Sequence, residues 1–125
     1  MEYVLIRKSG GFYCVFDNDA FVINYLTGYK ITNGRCGFPL NSLNKVINIL
    51  EDNSINYIVR ENMEDIFKKN YKKNNKYNKI LDKGKKKFNI EYRVNCIIEN
   101  IKKLEYDKLC NLLEVIESNL WIIIF

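Results

Sequence analysis

Two adjacent glycines, Gly10 and Gly11, separate two apolar runs too short to be helices, Tyr3-Val4-Leu5-Ile6-Arg7 and Phe12-Tyr13-Cys14-Val15-Phe16. Aromatic and β-branched residues in runs of this length suit strands, and glycine turns the chain between them without steric cost. Residues 2–17 are therefore predicted to form a hairpin or two neighbouring strands, which commits the N-terminal half to a sheet. Alternation along the second run places Phe12, Cys14 and Phe16 on one face and Tyr13 and Val15 on the other.

The segments that follow fit the same sheet. Asp17-Asn18-Asp19 offers helix N-cap chemistry, and a helix over Ala20–Leu26 is predicted with Phe21, Tyr25 and Val22 inward, stopped at Gly28. Tyr29–Thr32 reads as a short strand, and "NGRCGFP" as a loop punctuated by two glycines and the only proline. Asn41 or Ser42 is expected to cap a helix carrying Leu43, Val46, Ile47, Ile49 and Leu50 at helical spacing, and Ile55–Arg60 reads as a strand. The order β-β-α-β-loop-α-β predicts an α/β (α+β) fold, a mixed sheet flanked by helices. Further on, Ile90, Val94, Ile97, Ile101 and Leu104 recur at spacings of three and four, as do Leu109, Leu112, Leu113, Ile116 and Leu120. A C-terminal helical hairpin over residues 89–120 is the expectation. Length favours a single domain over residues 1–125, with an α/β part (1–61), a Lys/Asn-rich segment (62–88) and the hairpin.

Charge and composition narrow the chemistry. The chain has no histidine, and its four cysteines, Cys14, Cys36, Cys96 and Cys110, stand apart without zinc-site spacing. Neither a metal centre nor a Cys-His nucleophile is expected, and reduced, buried thiols are. The longest apolar run, Leu120–Phe125, is far short of a membrane span, so a cytoplasmic chain without membrane contact is expected. The net charge of +5 is concentrated in residues 61–90, where ten lysines face Glu61, Glu64, Asp65 and Asp82. The stretch "FKKNYKKNNKYNKILDKGKKKF" interleaves lysines with aromatic residues, a pattern that tracks a phosphate backbone or forms a solvated linker.

The segments "GGFYCVFDNDA", "YKIT", "RCGFPLNSLNKVINIL" and "INYIV" together resemble the N-terminal mismatch-recognition domain of the MutS DNA mismatch-repair proteins over residues 9–61. In that family a phenylalanine enters the minor groove beside a mispaired base and a glutamate two residues later bonds the base. The resemblance places Phe12 at the wedge and Cys14 at the glutamate's position. A thiol is a weak donor and poor acceptor, so mismatch specificity is expected to be weakened or lost. An apolar wedge unstacks a base step most cheaply where pairing is already defective.

The resulting expectation is a stand-alone, non-enzymatic module that binds double-stranded, mismatched or distorted DNA and needs no cofactor. Its DNA-binding residues are Phe12 and Cys14, with Arg7, Lys8 and Arg35 near them, and Lys68, Lys69, Lys72, Lys73, Lys85, Lys86 and Lys87 in the basic block. The alternative is a protein-interaction or regulatory module that keeps the fold without DNA recognition, its C-terminal helices forming a homodimer seam.

Overall fold

The computed structural model describes residues 2–71 and 74–124, and the chain divides into two compact units, residues 1–88 and 89–125. In the first unit, the predicted hairpin is present as β1 (Val4–Ser9) and β2 (Phe12–Phe16), joined through Gly10 at φ 59°. Helix α1 (Asn18–Thr27) follows, and Gly28 ends it in the left-handed conformation at φ 82°. Strand β3 (Ile31–Thr32) leads through Asn33 and Gly34 into β4 (Arg35–Pro39). A short 3-10 turn (Leu40–Ser42), α2 (Leu43–Asp52), β5 (Tyr57–Glu61) and β6 (Glu64–Lys69) complete the mixed sheet, and α3 begins at Lys76 and runs to Lys102. The strand order is β3-β4-β2-β1-β5-β6, antiparallel throughout except for β1 beside β5.

Several sequence expectations are corrected. The segment read as a loop, "NGRCGFP", is a tight turn plus strand β4, which lies between β2 and β3. Asn33 and Gly34 both have positive φ, the conformation of a two-residue hairpin turn. Pro39 sits at the strand's last position, where its missing N–H is tolerated. The acidic turn does not cap α1: no side-chain cap bond forms, and Asp17 holds φ 53°. No side-chain cap bond from Ser42 forms at α2 either. In α1, Ala20, Val22 and Ile23 face the core, while Phe21 and Tyr25 are half-buried. The lysine-rich segment contains strand β6 and the first turns of α3.

The core occupies one face of the sheet. Val4 and Ile6 of β1, Tyr13 and Val15 of β2, Cys36 and Phe38 of β4, and Tyr57 and Val59 of β5 form one buried cluster with Val22 and Ile23 of α1, Val46 and Leu50 of α2, and Tyr77 of α3. Burying such apolar side chains contributes about 1.5–3 kcal/mol each. Buried tyrosines need partners for their hydroxyls, and each finds a carboxylate. Tyr13 donates to Glu61, Tyr57 donates to Glu51 at 2.7 Å, and Tyr77 donates to Asp19. The other Asp19 oxygen accepts the Leu5 N–H at 3.0 Å. Register explains that bond: β1 and β2 pair only from Arg7 opposite Cys14 onward, so the Asp19 carboxylate serves an amide that lies before the paired stretch.

Helix α3 approaches α1 closely at Gly84. A Cβ placed there would lie 2.7 Å from the Phe21 carbonyl oxygen, backbone that cannot swing aside. Beyond Gly84, the rings of Phe88 and Phe21 meet edge to face at 5.3 Å.

The second unit comprises the remainder of α3 and helix α4 (Tyr106–Ile124), so both helices of the predicted pair are present, the first beginning earlier than expected. None of its described residues is buried. Ile101, Leu109, Leu112 and Ile116 are half-buried, whereas Ile97, Trp121, Ile122 and Ile123 are exposed.

Two measurements test this account. Alanine at position 84 gains about 1 kcal/mol in helix propensity but overpacks a backbone contact, which costs about 1–3 kcal/mol. Gly84→Ala is therefore expected to lower the urea midpoint, whereas an open helical glycine replaced by alanine would raise it. The second concerns alkaline pH. Burial, reinforced by the bond to Glu61, pushes the Tyr13 hydroxyl up to about 12, and burial raises Tyr57 and Tyr77 too. Unfolded tyrosine ionises near 10. Between those values the unfolded chain releases protons that the folded chain keeps, so stability is whole below pH 10 and falls as pH rises through the folded values. Urea midpoints measured from pH 9 to 12 should decline, less steeply in Tyr13→Phe.

Candidate nucleic-acid interface

Residues paired directly across strands share a face, so register defines the side of the sheet opposite the core. Phe12 stands opposite Ser9 and Pro39, Cys14 opposite Arg7 and Gly37, and Phe16 opposite Arg35, which in turn pairs with Thr32. Further along, Leu5 pairs with Ile58 and Ile58 with Lys68, while Arg7 pairs with Arg60 and Arg60 with Asp65. None of these residues belongs to the buried cluster formed with the helices. The face is apolar at intervals and cationic between them.

Phe12 and Phe16, at the two ends of β2, are both exposed aromatics on this face, Phe12 the more so. The Phe12 side chain is 55% accessible, whereas Cys14, two residues on, is only 6% accessible. Beside Phe12 lies a concavity of about 340 Å³. Phe12 forms one wall, Cys14 and Gly37 line it along β2 and β4, the hydroxyls of Ser9 and Thr32 border it, and Lys30 and Arg35 supply its charge. Among the described residues no acidic side chain lines it. Gly37 keeps the hollow open: a Cβ there would meet the Cys14 sulfur at 3.6 Å, an ordinary contact, and would project from the same face. Among the described residues, neither Lys30 nor Arg35 enters an ion pair.

The other cations are distributed unevenly. Arg7 is exposed on this face and, with Leu5 and Phe16, borders a second hollow that also contains Asp17 and Asp19. Desolvation raises the Asp19 carboxyl above its usual range, against the lowering effect of its bonds from Tyr77 and Leu5. Both its oxygens are already engaged. Arg60 is held by Asp65 at 2.7 Å.

The structure thus brings Phe12, Cys14, Arg7 and Arg35 onto one face, with Lys68 farther across it opposite Ile58. It does not bring the rest there. Lys8 pairs with Tyr13 and alternates to the other side, though it is exposed. Lys69 pairs with Tyr57 and holds its ammonium 5.7 Å from the Tyr71 ring. Lys85, Lys86 and Lys87 follow the Gly84 contact on α3, in the helical layer; Lys86 pairs with Asp82 at 3.0 Å and Lys87 lies 6.0 Å from the Tyr25 ring. Lys72 and Lys73 lie outside the described residues.

Sequence reasoning missed Lys30, Thr32 and Gly37, because reading residues 33–39 as a loop removed the strand that places them. The available signal was Asn33-Gly34 between two short apolar segments. Among the described residues no group of three His, Cys, Asp or Glu side chains is arranged to hold a metal, and no helix is long and apolar enough to cross a membrane. All four cysteines are free thiols, and burial, with a smaller contribution from neighbouring Cys14, pushes Cys36 up to about 11. The sequence matches no family model and no curated protein.

Proposed function

We propose that this chain is a DNA-binding module that presents Phe12 to a distorted duplex from a cationic sheet face, as its resemblance to the MutS mismatch-recognition domain over residues 9–61 implies. The observation that carries the reading is the exposed Phe12 ring beside Lys30 and Arg35, with no acidic side chain in the hollow between them. An apolar wedge bordered by cations suits a phosphate-lined groove, where attraction comes from counterion release and selection from how easily the step deforms.

Cys14 lies almost buried where the family has its glutamate, so nothing at that position accepts a bond from a base edge. Mismatch specificity is accordingly weak, and the module is non-enzymatic. Its free thiols fit a reducing, cytoplasmic setting.

Fluorescence anisotropy with matched and mismatched duplexes at two salt concentrations tests the proposal. Binding is expected to weaken steeply with salt, and Phe12→Ala to lose about tenfold in affinity, the scale of one stacked aromatic. Absence of binding at low salt, or a Phe12→Ala protein that binds like the parent, removes the reading.

A second reading rests on the other unit. Helix α4 has no buried residue, and Ile122 and Ile123 are 77% and 79% accessible. Isoleucines so exposed favour self-association through these helices, the seam of a homodimer serving an interaction role. Stable interfaces bury at least about 1,000 Å² in total. Sedimentation velocity is expected to give a dimer that Ile97→Glu combined with Ile123→Glu converts to monomer; a monomeric parent protein at micromolar concentration ends this second reading.

A further inference from the structure

Strand β6 is one outer edge of the sheet, bonded to β5 on one side only, and all six of its residues are exposed. The opposite edge, β3, is two residues long. A longer free edge is a template for pairing with another chain unless its side chains repel the newcomer. The side chains of β6 run Glu64-Asp65-Ile66-Phe67-Lys68-Lys69, two acids at one end, two bases at the other and two apolar residues between. Reversing the strand exchanges every acid with a base and Ile66 with Phe67, so an antiparallel copy of this strand complements it. We infer that β6 pairs antiparallel with β6 of a second copy of this chain, Glu64 opposite the partner's Lys69 and Asp65 opposite the partner's Lys68.

The backbone permits that register because of a bulge. Direct partners in an antiparallel ladder share a face. A two-fold axis normal to the sheet keeps each side chain on its own face, so regular strands match residues an even number of positions apart, never 65 with 68. In β6, Val59 faces Phe67 but Arg60 faces Asp65, which leaves Ile66 without a partner of its own and interrupts the alternation. Asp65 and Lys68, opposite Arg60 and Ile58, therefore share one face, and Glu64 and Lys69, opposite Glu61 and Tyr57, share the other.

The hydrogen-bonding groups agree. The Val4 N–H donates to the Asn56 carbonyl at 2.9 Å, so by alternation Asn56, Ile58 and Arg60 turn their backbone groups toward β1, and Tyr57, Val59 and Glu61 turn theirs toward β6. Lys68 and Asp65, opposite Ile58 and Arg60, accordingly direct their N–H and C=O to the free edge. The two residues whose charges oppose across the seam are the two whose amides can exchange bonds there. Among the described residues Glu64, Lys68 and Lys69 enter no ion pair, and Asp65 is bonded to Arg60 at 2.7 Å. A parallel copy would set acids beside acids and lysines beside lysines. An antiparallel copy shifted by one residue loses half of the acid-base matches.

The test uses the full chain carrying Ile97→Glu and Ile123→Glu, so that association through the C-terminal helices does not contribute, with circular dichroism verifying each variant. Sedimentation velocity is expected to show a weak dimer forming at roughly 10–100 micromolar, since one strand pair lies at the small end of stable interfaces. Glu64→Lys alone, or Lys69→Glu alone, places like charges opposite each other on both sides of the seam and should raise the dissociation constant about tenfold. Mixing those two variants in equal amounts, or combining both substitutions in one chain, should restore it. Carbodiimide coupling of mixed isotopically light and heavy chains should give light-to-heavy links between Glu64 and Lys69 or between Asp65 and Lys68. A chain that stays monomeric at roughly 0.5 millimolar overturns the inference, given the affinity expected of so small an interface. So do charge reversals that leave association unchanged, or a mixture that associates no better than its separate components.

Discussion

The pairing of β2 with β4 decides which residues meet water. Cys14 lies opposite Gly37 and Val15 opposite Cys36. Side chains alternate with period two, so a slip of one residue would carry Val15 to the solvent side and send Phe12 and Phe16 inward. The Asn33-Gly34 turn fixes one end of that register from β3, and Pro39, beyond which the chain leaves the sheet, fixes the other. Everything proposed for the open face inherits its geometry from these two strands.

The polar interior supports the same division. Asp19, Glu51 and Glu61 each accept a hydrogen bond from a buried tyrosine, so three carboxylates of the first unit are committed to structural bonds. Such bonds satisfy hydroxyls whose desolvation would otherwise cost about 1–3 kcal/mol each. They also leave the hollow beside Phe12 with cations and no carboxylate. Of the five acidic residues in 1–60, Asp19 and Glu51 are bonded to buried tyrosines, and the positive character is local to the hollow that Lys30 and Arg35 line.

How much of this was legible depended on whether the signal was local. The hairpin, the stop at Gly28 and the apolar stripe of α2 are patterns of neighbouring residues and are found where the sequence puts them, and the helical periodicity after Ile90 lies in helices, the first of which begins earlier, at Lys76. Strand β4 was hidden because Gly37 and Pro39 carry loop-like propensities, and its strand character comes from partners on both sides. Asp19 looked like a helix cap because its true partners, Leu5 and Tyr77, lie 14 and 58 residues away. For the candidate site, Phe12, Cys14 and Arg7 were readable from alternation alone, while Lys30, Thr32 and Gly37 needed β4. The lysine run from Lys68 to Lys87 read as a stretch tracking a phosphate backbone or as a solvated linker; its described members divide mainly between an edge strand and a helix.

Asp19 also changes what the first strand can report. The Leu5 amide is shielded by a carboxylate that Tyr77 helps to hold, a side-chain latch in place of a strand partner. Deuterium uptake at that single amide therefore requires Asp19, and with it the start of α1, to leave β1, a movement that Tyr77 of α3 restrains through the other carboxylate oxygen. One backbone proton becomes a clock for helix undocking, readable in the native protein without a label.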